Sequence, residues 1–289
     1  MPMNRRSFFQ RTSGTAGAAL ITALGRPAWL RGAAARKASD VLYLGPDKIK
    51  VTRMAIGLGT NAGNVQRELG LQGVADYLNF AFDQGQFFWD TADAYKTHFH
   101  IKQALKSIPR EKVTILTKTD VRTAAEMKTD LDRYRQELGT DYIDIVLLHG
   151  MRSPNWPTEM QGVMDVLSEA REKGIIRTHG ASIHSLAALQ LAAKTPWCRV
   201  QLQGINHAGV RMDSTNPAEV IAALRQSKAA GKGVIGMKVL GEGRLRDQID
   251  KTLGFVLGLD CLDCFTIGAA NRDELADLIR RIPENSRAA

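Results

Sequence analysis

Four side chains able to move protons stand in order along the first half of the chain: Asp90, Tyr95, Lys118 and His149. Asp90 closes the apolar run Phe87-Phe88-Trp89, and Tyr95 follows five residues later. Lys118 closes Thr114-Ile115-Leu116-Thr117, and His149 closes Ile145-Val146-Leu147-Leu148. A lysine and an aspartate abutting apolar strands are costly unless they pair, so an Asp90–Lys118 ion pair is expected. A tyrosine hydroxyl has a pKa of about 10, and an ammonium beside it favours the phenolate. With Lys118 nearby, Tyr95 becomes a general acid, and His149 a hydrogen-bond donor that orients a carbonyl oxygen. Any one of these residues alone reads as packing or surface charge. Together they suit reduction of an aldehyde or ketone, which needs a proton on oxygen and a hydride on carbon. No side chain supplies a hydride, so a cofactor must.

Such residues meet only if the strands that end in them lie side by side. Short β-branched runs alternate with amphipathic stretches, the pattern of βα units around a parallel sheet. The predicted strands are Met54–Leu58, Phe87–Asp90, Val113–Lys118, Ile143–Leu148, Ile175–Thr178, Val200–Gln203, Val234–Met237 and Cys264–Ile267. The helices between and after them are predicted at 66–84, 100–107, 124–138, 158–173, 185–193, 217–230, 247–257 and 273–281. Gly139, Gly174 and Gly231 each stand one step past a periodic run, where helices stop. A hairpin over Val41–Leu44 and Ile49–Thr52, turning at Gly45-Pro46-Asp47, precedes them. Eight such units predict an α/β fold, a (β/α)8 TIM barrel forming a single domain over 36–289. An open doubly wound sheet is the alternative. Gly57-Leu58-Gly59-Thr60-Asn61-Ala62-Gly63 is glycine-rich, but it lacks the G-x-G-x-x-G spacing and shows no helix directly behind it.

Residues 1–35 read differently. Arg5-Arg6-Ser7-Phe8-Phe9, a weakly apolar run from Gly14 to Leu24 and Ala33-Ala34-Ala35 predict a cleavable export signal. The paired arginines make it similar to the twin-arginine type, so periplasmic localisation through the twin-arginine export machinery is expected. The segment carries five arginines and no acid, so the formal net charge of +9 falls to +4 without it. That mild excess, with no basic cluster, argues against a nucleic-acid partner. No stretch after the signal has the 18 or more apolar residues of a membrane span. The partner expected is a small-molecule carbonyl substrate; oligomeric state is open, with a monomer favoured.

Phe87-Phe88-Trp89-Asp90-Thr91-Ala92-Asp93-Ala94-Tyr95, Ile115-Leu116-Thr117-Lys118-Thr119 and Leu138-Gly139-Thr140-Asp141-Tyr142-Ile143-Asp144-Ile145-Val146-Leu147-Leu148-His149 resemble, in order, three motifs of the aldo-keto reductases. The resemblance implies a barrel that binds a nicotinamide cofactor across its mouth and uses Asp90, Tyr95, Lys118 and His149 as a catalytic tetrad. It implies carboxamide contacts from Ser182 in Gly180-Ala181-Ser182-Ile183-His184 and from Gln201, with Ile183 replacing the family's Asn. Met237 then packs on the nicotinamide where many members have an aromatic. Lys238 and Leu240, in the same segment Gly236-Met237-Lys238-Val239-Leu240, also contact the cofactor, and Gly243 and Arg244 belong to the loop Gly241-Glu242-Gly243-Arg244 that passes over the pyrophosphate. Gly268, Asn271, Arg272 and Glu274 reach the adenosine end. Glu274 stands where NADP-preferring members often carry a base, and Arg272 lies two residues earlier. NADP is expected, with NAD possible. His98-Phe99-His100 departs from the family's Gly-Ser-Glu-like helix start. Trp89, Trp156, His98, Phe99 and His100 are expected around the substrate.

Cys261-Leu262-Asp263-Cys264 is a lone C-x-x-C read as two structural thiols, and no metal site is expected. Two other functions stay open. A metal-dependent barrel hydrolase would use the six histidines, although its H-x-H belongs on the first strand, where none stands. A non-catalytic nicotinamide nucleotide-binding sensor or partner protein would keep the barrel and lose turnover.

Overall fold

The computed structural model describes residues 35–286 apart from 213 and 215. The predicted export signal lies outside these residues save for Ala35. The chain enters through an antiparallel hairpin, β1 (Val41–Leu44) and β2 (Ile49–Thr52), at the predicted positions. Eight strands follow: β3 (Met54–Gly57), β4 (Phe88–Asp90), β5 (Thr114–Thr119), β6 (Ile143–Met151), β7 (Ile176–Ile183), β8 (Val200–Gly204), β9 (Gly233–Met237) and β10 (Cys264–Ile267). Each pairs parallel with the next, and β10 returns to β3 to close the barrel. This is the expected (β/α)8 barrel.

The helices are α1 (Asn64–Glu68), α2 (Gly70–Asp83), α3 (His98–Ala104), α4 (Ala124–Leu138), α5 (Trp156–Glu159), α6 (Gln161–Glu172), α7 (Leu186–Lys194), α8 (Pro217–Ala229), α9 (Ile249–Gly258) and α10 (Arg272–Asn285). The single helix expected over 66–84 is two, broken where Gly70 takes φ +70°. Contrary to expectation, α1 starts directly behind the glycine-rich stretch, with Gly63 at its N-cap. The boundary was invisible because α1 has no apolar period of its own.

Alternate strand residues face opposite ways. Ala55, Phe88, Leu116, Ile145, Leu147, Val200, Leu202, Ile235 and Cys264 fill the barrel, while their neighbours pack under the helices. Leu44, Ile49 and Val51 of the hairpin join the inner cluster and close the end where the strands begin. Asp47 staples that plug in place. It accepts from Arg199 Nε at 2.5 Å, Thr178 Oγ1 at 2.6 Å and Arg171 Nη2 at 2.8 Å. With the strand-start end filled, the opposite rim is left for chemistry.

β6 and β7 run past the ends predicted from their apolar runs. After Leu148–Ala181, pairing resumes at Met151–Ile183, with His149 and Gly150 left out of the ladder between them. The β6–β7 register shifts between Leu148 and Met151, and such a bulge re-aims the side chain it carries. His149 sits on it.

Candidate active site

Lys118 reaches across from β5 to the end of β4. Its Nζ donates to Asp90 Oδ1 at 2.5 Å and to Thr91 O at 2.7 Å. Asp90 Oδ2 accepts from Thr266 Oγ1 of β10 at 2.9 Å, so both carboxylate oxygens are used. The Lys118 side chain is 1% exposed and the Asp90 side chain 8%. Burial pushes the ammonium toward neutrality, but Asp90 and Tyr95 outweigh it and hold Lys118 charged, with its pKa above the ordinary range.

Tyr95 ends the 3-10 turn Asp93–Tyr95 in the loop after β4. Its ring lies 4.8 Å from Lys118 Nζ and edge-on to the His149 ring at 5.8 Å. The glycine-rich stretch that showed no nucleotide spacing makes room for this tyrosine. A Cβ on Gly59 would come within 2.4 Å of Tyr95 Cε2, and one on Gly63 within 2.5 Å of Tyr95 O. Arg67 of α1 then donates to Tyr95 O at 2.5 Å.

The net effect on the Tyr95 hydroxyl is opposite to the sequence expectation. Lys118 is the strongest single influence and lowers its pKa. Burial, Asp90 and Asp120 together exceed it, and the pKa is raised. Tyr95 therefore holds its proton throughout the neutral range. His149 Nδ1 donates to Asp120 Oδ2 at 3.0 Å, a partner the sequence reading missed because Asp120 lies just past its strand.

On β7, Ser182 shares the inward parity of Thr178, and its buried Oγ has no hydrogen-bond partner. Two residues on, His184 lies 3.4 Å from Lys238 Nζ, which is also 3.4 Å from Glu242 Oε1. Burial, and then the charge of Lys238, lower the His184 pKa to about 3, so it is neutral. The parity shared with Ser182 could have flagged His184. Met237 closes β9 at the rim, joined to the inner cluster.

Gln201 is not brought to the rim. Val200 and Leu202 point into the barrel, so Gln201 faces the helix layer, beside the Cys198 thiol. Leu240 packs against the outer core, while Gly243 and Arg244 are exposed on the loop after β9. Gly268 is a point of close approach, since a Cβ there would meet Thr60 Oγ1 at 2.1 Å. Asn271 and Glu274 cap α10: Asn271 Oδ1 accepts from Glu274 N at 2.9 Å, and Glu274 Oε2 from Ala270 N at 2.8 Å. Arg272 is exposed, 3.9 Å from Asp76. Trp89 and Trp156 are core residues rather than rim residues, with ring N–H groups bonded to Gln86 O and Ala188 O. His98 and His100 are also buried, which leaves Phe99 as the exposed member of that set. Cys261 and Cys264 are free buried thiols, Cys261 packed in the outer core just before β10 and Cys264 inside the barrel.

Residues 55–256 match the family model described as the aldo/keto reductase family. The chain belongs to the aldo/keto reductase family. Among curated proteins it is 27% identical over 164 residues to an NADH-specific methylglyoxal reductase of Escherichia coli, covering 48% of this chain and 50% of that one. It is 30% identical over 99 residues to the glycerol 2-dehydrogenase (NADP(+)) of Saccharomyces cerevisiae, covering 32% and 30%. The match thus spans about half the length of the first relative and under a third of the second. A solved Pseudomonas aeruginosa chain described as an aldo-keto reductase superposes with a TM-score of 0.71 at 20% identity, covering 86% of this chain and 97% of that one. That likeness is one of fold.

A nicotinamide carboxamide needs polar partners on an apolar floor. Ser182 offers a buried, partnerless Oγ on β7, while Arg244 on the loop after β9 and Arg272 at the start of α10 are exposed.

Proposed function

We propose that this protein reduces a small aldehyde or ketone to the alcohol, with Tyr95 as the general acid. The observation that carries the reading is the position of Lys118 Nζ between Asp90, at 2.5 Å, and the Tyr95 ring, at 4.8 Å. Asp90 keeps Lys118 charged, and Lys118 stabilises the phenolate that Tyr95 becomes when it gives its proton to the carbonyl oxygen. The raised Tyr95 pKa keeps that proton available beforehand. His149, edge-on to Tyr95, orients the oxygen. NADPH, or NADH in its place, supplies the hydride when bound. Ser182, Met237 and Lys238 would hold its nicotinamide half, and Leu240, Gly243, Arg244, Gly268, Asn271, Arg272 and Glu274 the rest.

Tyr95→Phe removes the proton donor while keeping the ring. Carbonyl reduction should fall at least about 100-fold with nucleotide affinity unchanged. Nearly full activity in that variant overturns the assignment. The aldehyde substrate implied by the name of the Escherichia coli relative is the first to assay, with ketones and quinones beside it.

The protein is further proposed to act in the periplasm, exported by the twin-arginine route on the strength of Arg5-Arg6-Ser7-Phe8-Phe9. Residues 1–35 fused to a folded reporter should carry it to the periplasm, and replacing Arg5 and Arg6 by Lys should stop it. Unimpaired export in the Lys-Lys version counts against this route.

A further inference from the structure

The loop that carries Tyr95 is fastened to the strand that carries Lys118 by a chain of hydrogen bonds outside the tetrad. Asp93, two residues before Tyr95, receives both Arg133 Nη1, at 2.9 Å, and Nη2, at 3.0 Å. Arg133 Nη1 also donates to Glu137 Oε1 at 3.0 Å, one turn along α4. Glu137 Oε2 accepts from His98 Nδ1 at 2.8 Å. His98 Nε2 lies 2.8 Å from Thr117 Oγ1, and Thr117 directly precedes Lys118. A neutral imidazole that donates through Nδ1 accepts the Thr117 hydroxyl proton through Nε2. His98 is 2% exposed and both carboxylates are under a fifth exposed, so these bonds are largely shielded from water.

The chain grips the tyrosine loop on both sides, at Asp93 and at His98. A second bond ties its ends together inside that grip, Thr91 Oγ1 to Thr97 Oγ1 at 2.6 Å. Asp93, His98 and Glu137 also bring one ligand atom each within 4.8 Å of one another. The guanidinium of Arg133 contacts both carboxylates and supplies the positive charge that a metal would bring.

We infer that Arg133 and His98 are positioning residues. Through Asp93, Glu137 and Thr117 they set where the Tyr95 hydroxyl stands relative to Lys118. The inference rests on the proposed role of Tyr95. It gives the His98-Phe99-His100 departure a purpose, because an imidazole donates to Glu137 and accepts from Thr117, two bonds that the glycine of a Gly-Ser-Glu-like start has no side chain to make. Misplacement of a reacting group by about 1 Å can cost on the order of 100-fold in rate. Rotation of one unpinned loop is enough to produce it.

Arg133→Met removes the grip on Asp93, and Asp93→Asn weakens it while leaving one acceptor. Two readouts separate positioning from mere stability. The first is kinetic: kcat should fall at least about tenfold in folded Arg133→Met, with KM for nucleotide unchanged and a smaller loss in Asp93→Asn. The second needs no turnover. The 13Cζ resonance of Tyr95, identified by its absence in Tyr95→Phe, is followed over about pH 9 to 11. The groups facing that hydroxyl are Lys118, Asp90, Asp120 and His149. Freed into water, it should titrate lower, toward the ordinary value of about 10. A folded Arg133→Met with wild-type kcat and an unmoved Tyr95 titration overturns the inference. If that variant does not fold, the same pair of results in Asp93→Asn decides. A wild-type protein that reduces no carbonyl sinks the proposed function instead, and the titration still tests the positioning.

Discussion

His149 gives its Nδ1 proton to Asp120, 3.0 Å away on the loop after β5. That bond fixes the ring, and in the proposed reaction Nε2, not Nδ1, is the nitrogen that faces substrate. Asp120→Asn keeps an acceptor for Nδ1–H, whereas Asp120→Ala does not. We expect kcat within about threefold of wild type for the Asn variant and a loss of about tenfold or more for Ala, the scale of a misplaced catalytic group. Steady-state kinetics on a small aldehyde checks this, and equal losses in both variants would show that charge matters and orientation does not.

Glu274 caps α10 in this structure and is proposed to face the adenosine end of the nucleotide, and one substitution tests both roles. It accepts from Ala270 N within the cap of α10, so Glu274→Arg should cost about 1 kcal/mol of stability. The same change removes an anion near the adenosine end and should tighten NADPH about tenfold, or about 1.4 kcal/mol, with NADH little changed. Tryptophan quenching titrations with both nucleotides measure the second effect and urea unfolding the first. Equal shifts for the two nucleotides mean that residue 274 lies away from the ribose.

Stability should fall on mild acidification because two buried histidines refuse protons. Burial lowers His179, which stacks on Trp197 with ring centroids 4.4 Å apart, to about 4, and His184 to about 3. The unfolded chain takes up those protons below about 6.5, so the folded state loses ground as pH drops from there toward 4. At pH 5 the loss is up to about 2 kcal/mol per histidine. Asp47 works lower down. Burial raises its carboxyl, but Arg199, Thr178 and Arg171 overcome this and bring it to about 2. Its contribution is therefore complete above the ordinary carboxylate range and disappears only as pH approaches 2. Urea midpoints at neutral pH and near pH 5 should differ, and His184→Asn should reduce the difference.

All three cysteines should resist thiol reagents in the native protein. Cys198, Cys261 and Cys264 are buried and free, and burial raises the first two thiols to about 11 and holds Cys264 well above its ordinary value. The thiolate is the reactive species, so a colorimetric thiol assay at neutral pH should read near zero when folded and three per chain in denaturant. Rapid native labelling would mean that Cys261 or Cys264, at the start of β10, is reachable.

The architecture was legible in the chain because barrel strands and helices announce themselves through local periods of two and 3.6 residues. The helix over 124–138 and the strand over 264–267 fall where those periods place them. Asp90, Lys118 and His149 were legible as candidates because a polar residue that ends an apolar run stands out. Tyr95 stood out only by its distance from Asp90. What surrounds these groups was not legible, because it comes from far along the chain. Thr266 reaches Asp90 across 176 residues of sequence, and Arg133 reaches Asp93 across 40. The sign of the Tyr95 shift depended on burial, which no spacing encodes, and it overturned the expectation built on Lys118 alone. Gln201 is the instructive opposite. Alternation already puts Val200 and Leu202 on one face and Gln201 on the other, but which face is inward is decided only when the sheet closes and one face is filled.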